Sequence, residues 1–311
     1  MQFQPAWGVK VTQLSIAGKE ITVTNLEKVW WPDEGITKGE VINYYVEIAP
    51  WLLPHLAGRP LVLTRYPNGW AGKSFYQKHT PGHAPAWLKT FPLASDKRII
   101  NYCLVDDVAA LVWVVNSGAF EIHPFLSRIG TLEQPDFIVF DLDPMEKVTW
   151  EHICETAMAV AQGLELWGLK GFPKLSGSTG LQIFVPIRPR YTYSQIREVA
   201  YSLCQAVNAA LPQITTMERS IAKREGKLYL DYLQNALGKT LATVYGLRPR
   251  PGATISTPLT WEEVASMRAR PQDFTLFNIQ KRVSEKGDLF RPVLQLKQDL
   301  DHLLLSPDSR K

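Results

Sequence analysis

Cysteine is scarce in this chain. Cys103, Cys154 and Cys204 are its three copies, about fifty positions apart, with no CxxC pair among them. That spacing excludes a disulfide framework and a zinc site of paired cysteines, and leaves each as a small buried hydrophobe. Long apolar runs are missing too. No stretch of eighteen apolar residues occurs, and the first residues, MQFQPAWGVKVTQ, lack the apolar core of a signal peptide. No membrane association is expected, and the expected location is cytoplasmic, at the nucleoid. Internal repeats and low-complexity linkers are absent as well.

What remains is an ordinary globular composition: 311 residues, 45% hydrophobic and 21% charged. The 34 Lys and Arg exceed the 30 Asp and Glu by four. Such a small excess says little about a polyanionic partner, so the distribution of charge carries the information.

The most informative stretch is Pro135 to Pro144, PDFIVFDLDP. Its apolar, β-branched and aromatic run reads as a buried strand. Side chains i and i+2 of a strand share a face, so Asp141 and Asp143 stand together while Leu142 turns inward. Neighbouring carboxylates repel unless a positive charge lies between them, and oxygen ligands of this kind suit Mg²⁺ or Mn²⁺; the plain alternative is two acidic residues in a strand-end turn, where Asp and Pro are common. Leu228–Leu233 reads as a second strand with Asp231 at its centre. A carboxylate in mid-strand is costly to bury unless paired or metal-bound, which makes Asp231 the natural third ligand. Lys223, Arg224, Lys227, Lys239, Arg248 and Arg250 surround it in sequence, a cluster suited to a triphosphate.

The remaining elements follow from periodicity. Residues 9–23 alternate around Ala17-Gly18-Lys19 as a β-hairpin. Thr37 and Glu40 form a capping box for a helix that Pro50 should end or bend. Leu61–Arg65 is a strand closed by the turn Pro67-Asn68-Gly69. A further strand and helix lead to Phe120–His123, where an imidazole at a strand end can meet a phosphate. After the DLDP strand come a helix over Val148–Trp167, a strand from Pro173 to Leu175, the loop Ser176-Gly177-Ser178-Thr179-Gly180, a strand over Leu181–Ile187 and a helix over Tyr193–Ala210. With the Asp231 strand this order is β-α-β-β-α-β, the ferredoxin-like or RRM-like unit. The SGSTG loop is a candidate phosphate cradle, though hairpin turns share its composition; without GK[ST] and a following helix it is not a Walker A loop. In the first hundred residues, Lys28, Lys38, Arg59, Arg65, Lys73 and Lys78 are interleaved with Trp70, Phe75 and Tyr76. That pattern fits phosphates and stacked bases of nucleic acid, and equally a basic surface over a normal core.

The segments TNLEKVWWP, TKGEVINYY, AGRPLVLTRYPNG, FYQK, EIHPF, FDLDP, SGSTGLQIFVP, LYLDYLQN and YGLRPR, in that order, resemble the polymerase domain of bacterial and archaeal ligase D, within the archaeo-eukaryotic primase superfamily. The resemblance runs from about residue 9 to 265. It implies an α+β fold: an RRM-like catalytic module packed with an N-terminal α/β module. Within a single primase-polymerase domain over 1–311, residues 1–130 are expected to bind DNA, 131–250 to form the catalytic module and 251–311 a helical extension. The implied activity is templated nucleotidyl transfer, preferring ribonucleotides and manganese, at DNA ends, gaps and 3′ overhangs during non-homologous end joining. Asp141, Asp143 and Asp231 would hold the metals. His123, Ser176, Thr179, Arg224 and Arg248 would meet the nucleoside triphosphate. Lys28 and Lys38 would hold a 5′-phosphate, and Phe75 and Tyr76 would stack on template bases. Implied partners are DNA, Ku, a ligase and a second copy bridging the ends. Many relatives carry lysine where Thr179 stands, which bears on nucleotide affinity, and the KxDG motif of a ligase is missing. A primase, or a catalytically weak module that binds DNA ends, is the alternative on these residues.

Overall fold

The structure is a computed structural model that describes residues 11–95 and 98–304. Two five-stranded sheets organise it, and a single cluster of buried side chains runs from Ile21 to Leu300 through both.

The first sheet is built on Phe137–Asp143. This strand pairs antiparallel with Leu181–Pro186 on one side and with Leu228–Asp231 on the other. Phe172–Leu175 pairs with Leu181–Pro186, and the short Thr215–Thr216 adds a parallel edge next to Leu228–Asp231. Helices Trp150–Leu166 and Tyr193–Ala210 pack together across this sheet, each opened by a threonine cap, Thr149 and Thr192. The order of the four main strands is that of the expected β-α-β-β-α-β unit. Asp231 departs from expectation: it ends its strand rather than centring it, because Tyr232–Gln234 turns at once into a 3₁₀ helix.

The other sheet centres on Leu61–Arg65, which pairs with Phe75–Gln77 and with Glu121–Pro124 and touches Ile99–Cys103 at one register position. Helix Lys38–Leu56 starts at the predicted capping box of Thr37 and Glu40. It runs through both Pro50 and Pro54 instead of stopping at the first. Both prolines lie on the exposed face, so the carbonyls they leave without an N–H partner, those of Val46 and Pro50, are on the water side too. Ile48, Leu52 and Leu56 meanwhile keep the opposite face buried. The hairpin of Val11–Ile16 and Lys19–Thr24 forms as expected, with Ala17 and Gly18 at positive φ; residues 9 and 10 lie outside the described ones. No helix among the described residues is long and apolar enough to cross a membrane.

Candidate active site

The strand register writes a polar row across the sheet built on Phe137–Asp143. Lys174 is opposite Gln182, Gln182 is opposite Asp141, and Asp141 is opposite Asp231. Directly opposed residues share a face, so four polar side chains from four strands form one line across the sheet. Gln182 Nε2 donates to Asp141 Oδ1 at 3.1 Å, and Tyr229 OH donates to Asp231 Oδ1 at 3.2 Å. Burial drives the Asp141 carboxyl up to about 7, with the charges of Asp231 and Asp143 adding to it and the Gln182 hydrogen bond opposing it. Asp231 is raised in the same sense, again chiefly by burial.

Asp143 is held differently. Its Oδ2 accepts from Arg224 Nη1 at 2.9 Å, and that guanidinium also lies 4.0 Å from the centre of the Tyr229 ring. Arg224 thus supplies the positive charge that the sequence reading assigned wholly to metal. Among the described residues, no three acidic, imidazole or thiol side chains are gathered closely enough to form a metal cage. The donor chemistry nonetheless fits a divalent cation. Asp141 and Asp231 oppose each other with their carboxyls raised, chiefly by burial, and a hard cation between them would offset the cost of keeping both ionised there.

Beside this row opens a cleft of about 320 Å³, lined by His123, Asp141, Asp143, Ser176, Thr179 and Arg248 together with Arg250. Six of the expected site residues therefore converge. Asp231 adjoins the cleft through Asp141, and Arg224 through Asp143. The SGSTG loop forms between two strands as expected, but it is partly closed on itself. Ser176 Oγ accepts from the N–H groups of Ser178 and Gly180, both at 3.1 Å, so those two are not free to cradle an anion. Arg248 donates to the Ser176 carbonyl at 2.6 Å and to Glu121 Oε1 at 3.0 Å.

Glu121 was missed by the sequence reading. It also accepts from Tyr66 OH at 2.9 Å and lies 3.6 Å from His123 Nε2. Burial alone would push its carboxyl up, yet the His123 contact and the Arg248 charge hold it down at about 2. Glu121 and His123 are i and i+2 on one strand, so the rule that paired Asp141 with Asp143 would have found it. Lys174 and Gln182 were missed too, although a lysine inside the apolar strand Phe172–Leu175 is the same signal that singled out Asp231.

The other expected residues lie on the N-terminal side. Lys28 and Lys38 line a cleft of about 520 Å³ together with Asn25, Trp30 and Arg65. Lys28 Nζ donates to Pro67 O at 2.7 Å and Asn68 Oδ1 at 2.8 Å, and Lys38 Nζ to Thr24 O at 2.7 Å, all neutral oxygens. Burial and then the Lys28 charge bring the Lys38 ammonium down to about 8. Phe75 and Tyr76 stand on the edge strand Phe75–Gln77, 47% and 76% exposed, as stacking platforms must be.

A ferredoxin-like sheet with carboxylates aligned beside an arginine-lined cleft defines a polymerase-type nucleotidyltransferase of the archaeo-eukaryotic primase fold. The family is explicit. The model for the LigD primase-polymerase domain matches residues 37–290, and the chain belongs to that family. The multifunctional non-homologous end joining protein LigD of Mycolicibacterium smegmatis is 34% identical over 277 residues, 88% of this chain and 36% of that protein. The bifunctional LigD of Bacillus subtilis is 33% identical over 281 residues, 90% of this chain and 45% of that protein. The chain therefore spans less than half the length of these relatives. Among solved structures, the polymerase domain of Mycobacterium tuberculosis ligase D in complex with DNA superposes with a TM-score of 0.82 at 31% identity. That match covers 89% of this chain and 99% of that one.

Proposed function

We propose that this chain adds nucleotides, preferentially ribonucleotides, to the 3′ ends of DNA at breaks and gaps in non-homologous end joining. The observation that carries the reading is the opposition of Asp141 and Asp231 beside the cleft shared by His123, Ser176, Thr179 and Arg248. Asp141, Asp143 and Asp231 would hold divalent ions, manganese above all, and such ions supply activation of the 3′-hydroxyl and neutralisation of charge on the phosphorus under attack. Arg248 and Arg250 bring positive charge to the triphosphate side of the cleft, where charge builds as pyrophosphate leaves. Arg248 arrives already oriented, because Glu121 and the Ser176 carbonyl fix its guanidinium. Arg224, released from Asp143, would meet the nucleotide at the outer side. Lys28 and Lys38 would receive the 5′-phosphate across a gap, and Phe75 and Tyr76 the template bases. Ku, and a ligase to seal the product, belong to the same proposal as partners in the cytoplasm.

Primer extension on a gapped duplex with Mn²⁺ tests it, comparing ribo- with deoxynucleotides and 5′-phosphate with 5′-hydroxyl. Phosphate-stimulated addition of one or a few ribonucleotides is expected, and Asp143→Ala should abolish addition while DNA binding survives. Synthesis on unprimed single strands alone would replace the end-joining reading with a primase. Binding without addition would leave a DNA-end module.

A further inference from the structure

Lys174 is completely buried, and its ammonium group faces no carboxylate within ion-pairing distance among the described residues. Burying a lone ammonium is costly, so a fold that keeps one is using its hydrogen bonds. All three N–H bonds are engaged: with Gln182 Oε1 at 2.7 Å, Ser256 Oγ at 2.6 Å and Ala242 O at 3.2 Å. Ser256 Oγ gives its own proton to Leu175 O at 3.0 Å, so toward Lys174 it can only accept.

This arrangement determines which way Gln182 faces. A primary amide can turn over and exchange its oxygen and nitrogen at little intrinsic cost. As an ammonium, Lys174 has no acceptor to offer, so the amide oxygen faces it and the NH₂ faces Asp141. Gln182 Nε2 is indeed the atom 3.1 Å from Asp141 Oδ1. With the amide reversed, two oxygens would confront each other whenever Asp141 is ionised, as a metal ligand must be.

We propose that Lys174 and Gln182 are positioning residues that fix the rotation of Asp141, engaging Oδ1 so that Oδ2 is presented to a divalent cation. The inference rests on the metal-ligand reading of Asp141. Partners of this kind behind a metal ligand are worth 10–100-fold in affinity or activity.

The test is Mn²⁺ binding to the full chain, without nucleotide, followed by the electron paramagnetic resonance of free Mn²⁺. The proteins are wild type, Asp141→Ala, Gln182→Met, Lys174→Met and the double Met variant, each checked by thermal melting. Gln182→Met should weaken Mn²⁺ binding about tenfold. Lys174→Met should weaken it in the wild-type background and add nothing to Gln182→Met, because the lysine acts through the amide. In primer extension the same variants should lower kcat and leave KM for the nucleotide unchanged. Undiminished Mn²⁺ binding in a folded Gln182→Met, with binding lost in Asp141→Ala, overturns this inference and keeps the metal site. Additive losses would equally overturn it, showing that the lysine charge acts directly. Should Lys174→Met fail to fold, Gln182→Met alone decides. Wild-type protein that binds no Mn²⁺ removes the metal reading and this inference with it.

Discussion

Glu121 joins three residues, two of which line the cleft beside Asp141. Its carboxylate contacts Arg248, His123 and Tyr66 at once, and these contacts hold it ionised although it is buried. A carboxyl lowered from 4.5 to about 2 corresponds to roughly 3 kcal/mol of stability. Because the folded value is the lower one, that contribution is complete above about pH 4.5 and disappears as pH falls toward 2. Glu121→Gln should therefore lower the melting temperature by several degrees at pH 7, with the gap to wild type closing as a thermal series descends below pH 4.5. A constant gap across that series would show that packing, not the charge, is what Glu121 contributes. The same variant should raise KM for the nucleotide, since Arg248 loses its anchor. At this scale the sequence revealed the aspartates because i and i+2 are fixed by strand geometry alone. Gln182 and Arg248 are brought to Asp141 and Glu121 by pairings across 41 and 127 positions, which no local pattern encodes.

Among the elements, the SGSTG turn is built to tolerances that its composition does not disclose. Gly180 has an ordinary φ, but a Cβ there would come 2.3 Å from the Leu142 carbonyl, in the strand that bears both aspartates. Gly177 combines a φ of +72° with a Cβ position 2.8 Å from Arg248 Cγ and from the Ile255 and Ser256 backbone. Gly180→Ala must push the loop away from Leu142, and nucleotide addition should fall at least tenfold while DNA affinity is retained. Equal activity in the alanine variant would mean that the loop yields without moving Asp141 or Asp143. The proline helix and the Asp231 strand show where element boundaries escaped the sequence. Whether Pro50 stops a helix depends partly on whether the carbonyl it orphans can reach water, and a strand end depends on the turn after it. Both are settled by surroundings that lie far away in the chain.

At the scale of the whole molecule, two clefts of different character coexist. The Lys28 and Lys38 cleft offers ammonium groups bound to neutral oxygens, whereas the other sets arginines against aspartates. A doubly charged terminal phosphate would draw on the first. Lys28→Ala should thus weaken binding to 5′-phosphorylated gaps several-fold more than to 5′-hydroxyl gaps, with a shallower salt dependence in a fluorescence titration. Loss that is equal for both ends would remove the phosphate-pocket role. The order of elements and the ferredoxin-like unit were legible from periodicity. How the first sixty residues meet residues 245–250 was not, because those contacts are made by buried tyrosines and a tryptophan that any core contains.

Those meetings have a temporal side. Trp31 Nε1 donates to Arg250 O at 2.7 Å, Tyr44 OH to Tyr245 O at 2.6 Å, and Glu34 accepts from Gly252 N. Tyr45 OH accepts from Leu247 N at 3.0 Å, and His55 pairs with Asp288 at 3.0 Å. At 5–20 residues per second, helix Lys38–Leu56 would leave the ribosome roughly 10–40 s before the residues that close over it. A nascent chain stalled before residue 240 should remain protease-sensitive across Trp31–Leu56, and extension past Asp288 should abolish that sensitivity. Resistance in the stalled chain would mean that the N-terminal half matures alone. Otherwise the half that would grip DNA acquires its shape last, together with the half that would do the chemistry, so that a truncated translation product could not occupy a break without being able to extend it.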